Sequence, residues 1–118
     1  MAAHILKAFA EAQRSCRLAV YADLSVPMVL LSEARDAAHR ETLQALCVEG
    51  QAVLTAADET SLRSDTAIAL VGDRLAVFLR MPLAPNDALC CLCDHGTDLG
   101  AFVVAARACL NQLAGGSG

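Results

Sequence analysis

The sequence predicts an α+β domain in which a helix and two strands are followed by a long helix, three strands and a final helix. Apolar residues alternate with other residues at 16–22 and 74–81, which is the period of strands. They recur every three or four residues at 36–57, which is the period of an amphipathic helix. The dipeptide Gly72-Asp73 joins two β-rich runs. The economical arrangement is a five-stranded antiparallel sheet with helices on both faces.

The first part of the chain supplies a helix and a hairpin. Apolar residues recur at helical spacing within 3–14, which predicts a short amphipathic helix. The strand at 16–22 is followed by turn-forming side chains at 23–25. The apolar run at 27–32 predicts the second strand, whose leading proline is tolerated at a strand start or at a sheet edge.

The long helix predicted at 36–57 carries one apolar stripe. Its members are Leu43, Leu46, Cys47, Gly50, Val53, Leu54 and Ala57. Gly50 lies within the stripe, where glycine costs about 1 kcal/mol relative to alanine. It indicates either a close approach by another helix or a tolerated surface defect. The polar segment 58–65 then connects this helix to the third strand.

A second group of strands follows the long helix. The runs 66–71 and 74–81 form a hairpin, because a glycine-first connection is typical of a type II′ turn. Prolines at both ends of the segment 82–85 predict a loop over 82–87. The fifth strand is predicted at 88–93.

The last helix is predicted at 98–113, and Thr97 is expected to be its N-cap. Asp98 would complement the positive end of the helix dipole. Residues 1–114 are predicted to form a single domain, because 118 residues support one core, and 115–118 a flexible tail.

Composition narrows the classes of function. The hydrophobic fraction of 56% and the mean hydropathy of +0.46 are high for a chain of 12.3 kDa, which predicts spare apolar surface for a partner. A net charge of −4, without a basic run and with only 3% aromatic residues, argues against nucleic-acid binding. No apolar run reaches the roughly 18 residues of a membrane span. The N-terminal residues lack a signal-peptide pattern, so a cytoplasmic location is expected.

The closely spaced cysteines of the run Cys90-Cys91-Leu92-Cys93 raise the question of a metal site. Zinc ligands converge to about 2.0–2.3 Å from the metal. On a strand, however, Cys91, Cys93 and His95 would share one face at intervals of about 7 Å, and Cys90 would lie on the other. We therefore predict core thiols and no metal site. The remaining cysteines occupy apolar-periodic positions and are interpreted in the same way: Cys16, Cys47 and Cys109.

No catalytic centre or cofactor site is predicted. A cysteine nucleophile requires a positioned base, and the sequence does not place His4, His39 or His95 beside a particular cysteine. A serine elbow, a phosphate-binding loop and a metalloprotease helix are also missing from the sequence. The chain is therefore expected to be a non-enzyme.

The segment from Ala88 to Asp94, continuing through Thr97-Asp-Leu-Gly100, resembles the final strand and helix start of the Roadblock family. The element order over 3–114 is similar as well. This family includes a dynein light chain and bacterial regulators of Ras-like GTPases. The first hairpin departs from the pattern, because Asp23-Leu-Ser-Val-Pro27 lacks the glycine commonly found at its tip.

The resemblance implies a profilin-like fold and a homodimer in which the long helices pack together and the third strands pair across subunits. The apolar edge strand at 66–71 independently favours pairing. The predicted interface comprises Leu43, Leu46, Cys47, Gly50, Val53, Leu54, Thr66, Ala67, Ile68, Ala69 and Leu70. The expected function is a non-catalytic adaptor that binds a small Ras-like GTPase or scaffolds a complex. The alternative is a small-molecule sensor, since related profilin-like and PAS-like folds hold ligands between sheet and helix.

Overall fold

The computed structural model describes residues 2–35, 40–59, 65–81 and 84–116. The helices are α1 (Ala2–Ala12), α2 (Arg40–Glu59) and α3 (Leu99–Gly116), and the strands are β1 (Cys16–Asp23), β2 (Met28–Ala34), β3 (Thr66–Val71), β4 (Arg74–Met81) and β5 (Ala84–Asp94). The strands form one antiparallel sheet in the order β2-β1-β5-β4-β3. The predicted element order and five-stranded sheet are confirmed. The tail expected at 115–118 overlaps the end of α3, and 117–118 lie outside the described residues.

The core lies on both faces of the sheet. Helices α1 and α3 cover one face, where the rings of Phe9 and Phe102 meet in a tilted arrangement at a centroid distance of 5.6 Å. Helix α2 covers the other face and buries Phe78. Along β4, Val77 and Leu79 point to the first layer, because neighbouring side chains of a strand alternate between its faces. The sheet is therefore buried on both sides at its centre.

Strand β5 begins earlier than the sequence predicts. The segment 84–87, expected as a loop, is already part of the strand: Ala84 pairs with Met81 of β4, and Asp87 pairs with Asp23 of β1. The prediction of a loop over 82–87 is wrong for these residues, and 82–83 lie outside the described part of the chain. The register shifts between Arg80 and Met81, and such an irregularity is where a strand tolerates proline.

The start of α3 also differs by one residue from the prediction. The Asp98 carboxylate accepts the Ala101 backbone N–H at 3.2 Å, so Asp98 is the N-cap. The Thr97 hydroxyl instead donates to the Asp94 carbonyl at 2.5 Å. The prediction of Thr97 as the cap is therefore wrong, because its side chain closes the turn that follows β5.

Two local features position the hairpins. Gly72 has a φ of +65°, a left-handed conformation that glycine adopts without strain, as expected for the first position of this turn. The Arg35 guanidinium, just after β2, donates to the carbonyls of Ala10, Gln13 and Cys16 at 2.9, 3.0 and 3.0 Å. This side chain ties the end of α1 to the first hairpin.

Candidate functional site

The α2 residues predicted for the interface lie on the face of the helix that packs on this chain's own sheet. In the layer beneath α2, four of them are buried: Leu46, Cys47, Gly50 and Leu54. Two more are half-buried there: Leu43 and Val53. Ala57 was part of the same stripe, and its side chain lies outside the described set. The structure thus brings the apolar stripe together, and the sheet of the same protomer occupies it.

Gly50 marks a close approach by the sheet. A Cβ atom at this position would lie 2.9 Å from Cδ1 of Phe78 and 3.2 Å from Sγ of Cys90. Distances between carbon atoms below 3.0 Å require a neighbour to move, and both neighbours are fully buried. The interpretations of Gly50 as a helix–helix contact or a surface defect are corrected: within the protomer, the glycine makes room for Phe78.

The outer face of α2 carries small apolar side chains that the predicted interface did not include. Ala45, Val48 and Ala52 are exposed and follow one another at spacings of three and four residues. Val48 is 48% exposed. The helical period of the sequence already indicated this face, because these residues lie away from the apolar stripe.

Strand β3 presents apolar side chains at the sheet edge. Ile68 is 45% exposed and Leu70 is 74% exposed, although both belong to a strand without a charged residue. Ala67 and Ala69 are half-buried against the layer beneath α2. Thr66, also half-buried, accepts a hydrogen bond from Arg107 at 2.6 Å. Of the five predicted interface residues on β3, Ile68 and Leu70 are therefore those whose side chains remain accessible.

The backbone of β3 also faces outward in part. The Arg80 N–H of β4 donates to the carbonyl of Asp65, just before β3, at 2.7 Å. Asp65 and Arg80 are therefore a hydrogen-bonded pair of the ladder. Hydrogen-bonded and non-hydrogen-bonded pairs alternate along an antiparallel ladder. The N–H and C=O groups of Ile68 and Leu70 therefore point away from β4. No strand lies beyond β3 within the described ranges, so this edge is open to another strand.

The opposite edge of the sheet, formed by β2, is built differently. Pro27 immediately precedes the strand, and the register shift that pairs Tyr21 with Leu31 but Ala22 with Val29 leaves Leu30 without a partner in the ladder. Proline and bulges blunt an edge against strand addition. The sheet thus has one regular edge at β3 and one irregular edge at β2.

Two polar contacts join β1 to β5. The Arg17 guanidinium donates to the Asp94 carboxylate at 3.0 Å and thereby lowers the pKa of that carboxyl. The Tyr21 hydroxyl donates to the Asp87 carboxylate at 3.0 Å. Burial raises the pKa of Tyr21 to about 12, and the bond to Asp87 acts in the same direction. Both contacts link the two strands through their side chains.

Three hollows of the described surface have volumes of about 240, 250 and 210 Å³. Sites for drug-sized ligands commonly have about 300–1,000 Å³. The third lies between α2 and the sheet, the place where a sensor domain would hold its ligand, and is lined by Leu46, Val71 and Leu92 among others. These volumes do not favour the small-molecule sensor.

All six cysteines are buried and free. Cys90 points to the α2 layer, whereas Cys91 and Cys93 point to the α1/α3 layer. His95 lies exposed in the turn after β5. Across the part of the chain that the structure describes, no group of three or more His, Cys, Asp or Glu residues is placed to hold a metal ion. In the same part, no helix combines the length and apolar character of a membrane span.

The architecture is that of a profilin-like α+β domain. More particularly, it is the Roadblock/LC7 fold. A Roadblock/LC7 domain from Streptomyces avermitilis superimposes with a TM-score of 0.79 at 8% identity, over 94% of this chain and 92% of that chain. The gliding protein MglB from Thermus thermophilus gives 0.78 at 15% identity, over 96% and 85%. A structure described as MglB with tetrameric arrangement gives 0.74 at 13% identity, over 96% and 85%. No protein-family model and no curated protein sequence matches the chain.

Proposed function

We propose that this protein is a non-catalytic homodimeric module that binds a small Ras-like GTPase or scaffolds a larger complex in the cytoplasm. The Roadblock resemblance of the sequence implies this function, and the similarity in fold to MglB supports it. An MglB is described in a tetrameric arrangement, which supports self-association as a property of this fold. Six free thiols fit a reducing compartment.

The observation that carries the proposal is the open edge at β3. Ile68 and Leu70 offer outward backbone groups together with exposed apolar side chains. Pairing of two β3 strands would satisfy those groups and continue the sheet across two copies. The outer face of α2, with Ala45 and Val48, would pack on its counterpart in the second copy, because small side chains allow close approach of two helices.

Light scattering tests the dimer, and the two sheet edges provide a matched pair of variants. The wild-type protein should have twice the mass of 12.3 kDa at micromolar concentration. Ile68→Lys should shift the mass toward the monomer, because a lysine at an edge strand opposes strand addition. Leu30→Lys is the control, since Leu30 is 44% exposed on the other edge and Ile68 is 45% exposed. A monomeric wild type, or equal effects of the two lysines, would contradict the proposed interface.

The GTPase partner requires a separate measurement. A Ras-like GTPase encoded beside this gene would be loaded with GDP or with a non-hydrolysable GTP analogue and titrated with the dimer by calorimetry. We expect binding that depends on the nucleotide, and no GTP hydrolysis by the dimer alone. Absence of binding to both forms would remove the GTPase part of the proposal and leave the scaffold.

A further inference from the structure

Four thiols share the layer between the sheet and helices α1 and α3. They are Cys16, Cys91, Cys93 and Cys109, and each is at most 4% exposed. The proposed dimer surface uses none of them. A group of thiols on one side of a sheet is a candidate site for oxidative modification, provided that two sulfur atoms can meet.

Cys16 and Cys93 occupy directly opposite positions on β1 and β5. Opposite residues of an antiparallel pair have Cα atoms about 4.5–5.5 Å apart, which falls within the roughly 4.4–6.8 Å that disulfides span. Both side chains point to the same layer. Cys91 lies opposite Ala19 and reaches the Cys16 thiol along the diagonal of the ladder, where the two hydrogen-bond. The register places Cys93, rather than Cys91, directly opposite Cys16.

The pair lies at one end of two inner strands of the sheet, β1 and β5. Cys16 is the first residue of β1, and Cys93 is followed by the last residue of β5 and then by the exposed His95. The ladder is irregular here, since its register shifts between Cys16 and Leu18. The ends of secondary-structure elements fray at a smaller free-energy cost than their middles do. Local opening at this end would therefore let a small oxidant reach these sulfur atoms without unfolding of the domain.

The surroundings of Cys16 favour its thiolate relative to the neighbouring thiols. Hydrogen bonds from Cys91 and Cys93 lower the pKa of Cys16 against the effect of burial, and the charge of Arg35 acts in the same direction. The hydrogen bond to Cys16, together with burial, raises the pKa of Cys93. Cys16 is thus the attacking sulfur, because the thiolate is the nucleophilic form of cysteine.

We propose that Cys16 and Cys93 are a modification site that forms an intramolecular disulfide with hydrogen peroxide. The Cys16 sulfur attacks the peroxide, an S–O bond forms, the O–O bond breaks, and the leaving hydroxide takes a proton to become water. The Cys93 sulfur then attacks the sulfenic acid of Cys16, an S–S bond forms, and the S–O bond breaks with release of a second water. Two thiols lose two electrons in total, and peroxide accepts them.

Thiol counting by intact mass spectrometry tests the site. The folded, reduced protein is treated with hydrogen peroxide, the reaction is quenched with catalase, and the protein is unfolded and alkylated with N-ethylmaleimide. Wild type should lose two of its six alkylatable thiols. Cys93→Ala should form no cross-link and lose only one thiol, because the sulfenic acid of Cys16 then has no resolving partner. Cys91→Ala is the matched control, two residues away on the same face of β5, and it should still lose two.

Peptide sequencing of the oxidised wild type covers the case of a variant that does not fold. Fragmentation between positions 91 and 93 distinguishes a Cys16–Cys93 bond from a Cys16–Cys91 bond. The proposal is overturned if all six thiols of the wild type remain, if the cross-link maps to Cys91, or if oxygen adducts accumulate without a cross-link. A disulfide that appears only after treatment in urea would overturn it too, because the folded register would then play no part.

Discussion

Replacement of Gly50 by alanine should destabilise the protein, although alanine is the better helix former. Helix propensity alone favours alanine by about 1 kcal/mol. The added methyl group would lie 2.9 Å from Cδ1 of Phe78, a side chain that is fully buried. Overpacking of this kind costs about 1–3 kcal/mol. We therefore expect Gly50→Ala to lower the free energy of unfolding by about 1 kcal/mol, the midpoint of this balance.

Urea unfolding followed by circular dichroism measures this change. With a slope of about 2 kcal/mol/M, the expected shift of the midpoint is about 0.5 M toward lower urea. All variants need the same protein concentration, because unfolding of a self-associating protein depends on it. Ala108→Gly, at an exposed position within α3, calibrates the propensity difference in this protein and should cost about 1 kcal/mol.

A double-mutant cycle assigns the cost to the contact with Phe78. Phe78→Leu removes ring atoms opposite position 50, so Gly50→Ala should be less destabilising in that background than in the wild type. A Gly50→Ala protein that is as stable as the wild type, or more stable, would refute the reasoning. An equal effect of Gly50→Ala in both backgrounds would show that Phe78 is not the cause.

Three further results are expected. Asp98→Ala should cost about 1 kcal/mol in urea unfolding and Asp98→Asn much less, because asparagine also caps helices; equal losses would contradict the cap. In NMR titrations, Arg17→Gln should raise the pKa of Asp94 toward its ordinary value, and an unchanged pKa would contradict the ion pair. The contribution of this pair to stability is present at neutral pH and is lost as the pH falls through the lowered pKa. Tyr21 is the single tyrosine and the chain has no tryptophan, so absorbance at high pH reports its ionisation alone. The midpoint of this titration should lie near pH 12, and it should fall in Asp87→Asn. An unchanged midpoint in Asp87→Asn would contradict the hydrogen bond. The stability that the raised pKa of Tyr21 contributes is lost as the pH rises from the ordinary tyrosine pKa to about 12.

Most of the fold could be predicted from the sequence because its helices and strands follow from the local spacing of apolar residues. The alternation in β1 and β4 and the glycine at position 72 depend on neighbours along the chain. The start of β5 depends instead on pairing with Met81 of β4 and Asp23 of β1, which belong to other strands. Prolines therefore suggested a loop where tertiary pairing maintains a strand.

The candidate surface was less predictable for a different physical reason. An apolar stripe such as that containing Leu46 and Leu54 shows that one side of a helix is buried, whichever surface buries it. The sheet of the same protomer does so here. A contact of this stripe with a second copy stays a prediction, whereas the exposed Ile68 and Leu70 are available for one. The cap at Asp98 was missed by one residue because threonine and aspartate are both good caps, and the turn engages Thr97 first.

The difference between the two sheet edges would limit the self-association that we propose. Each copy carries one regular edge, at β3, and one edge interrupted by Pro27 and the unpaired Leu30. When two copies join edge to edge through β3, both regular edges are consumed and the outer boundaries of the combined sheet are the two β2 strands. Strand addition then has no regular template left, so growth ends as a closed two-fold pair rather than an open filament.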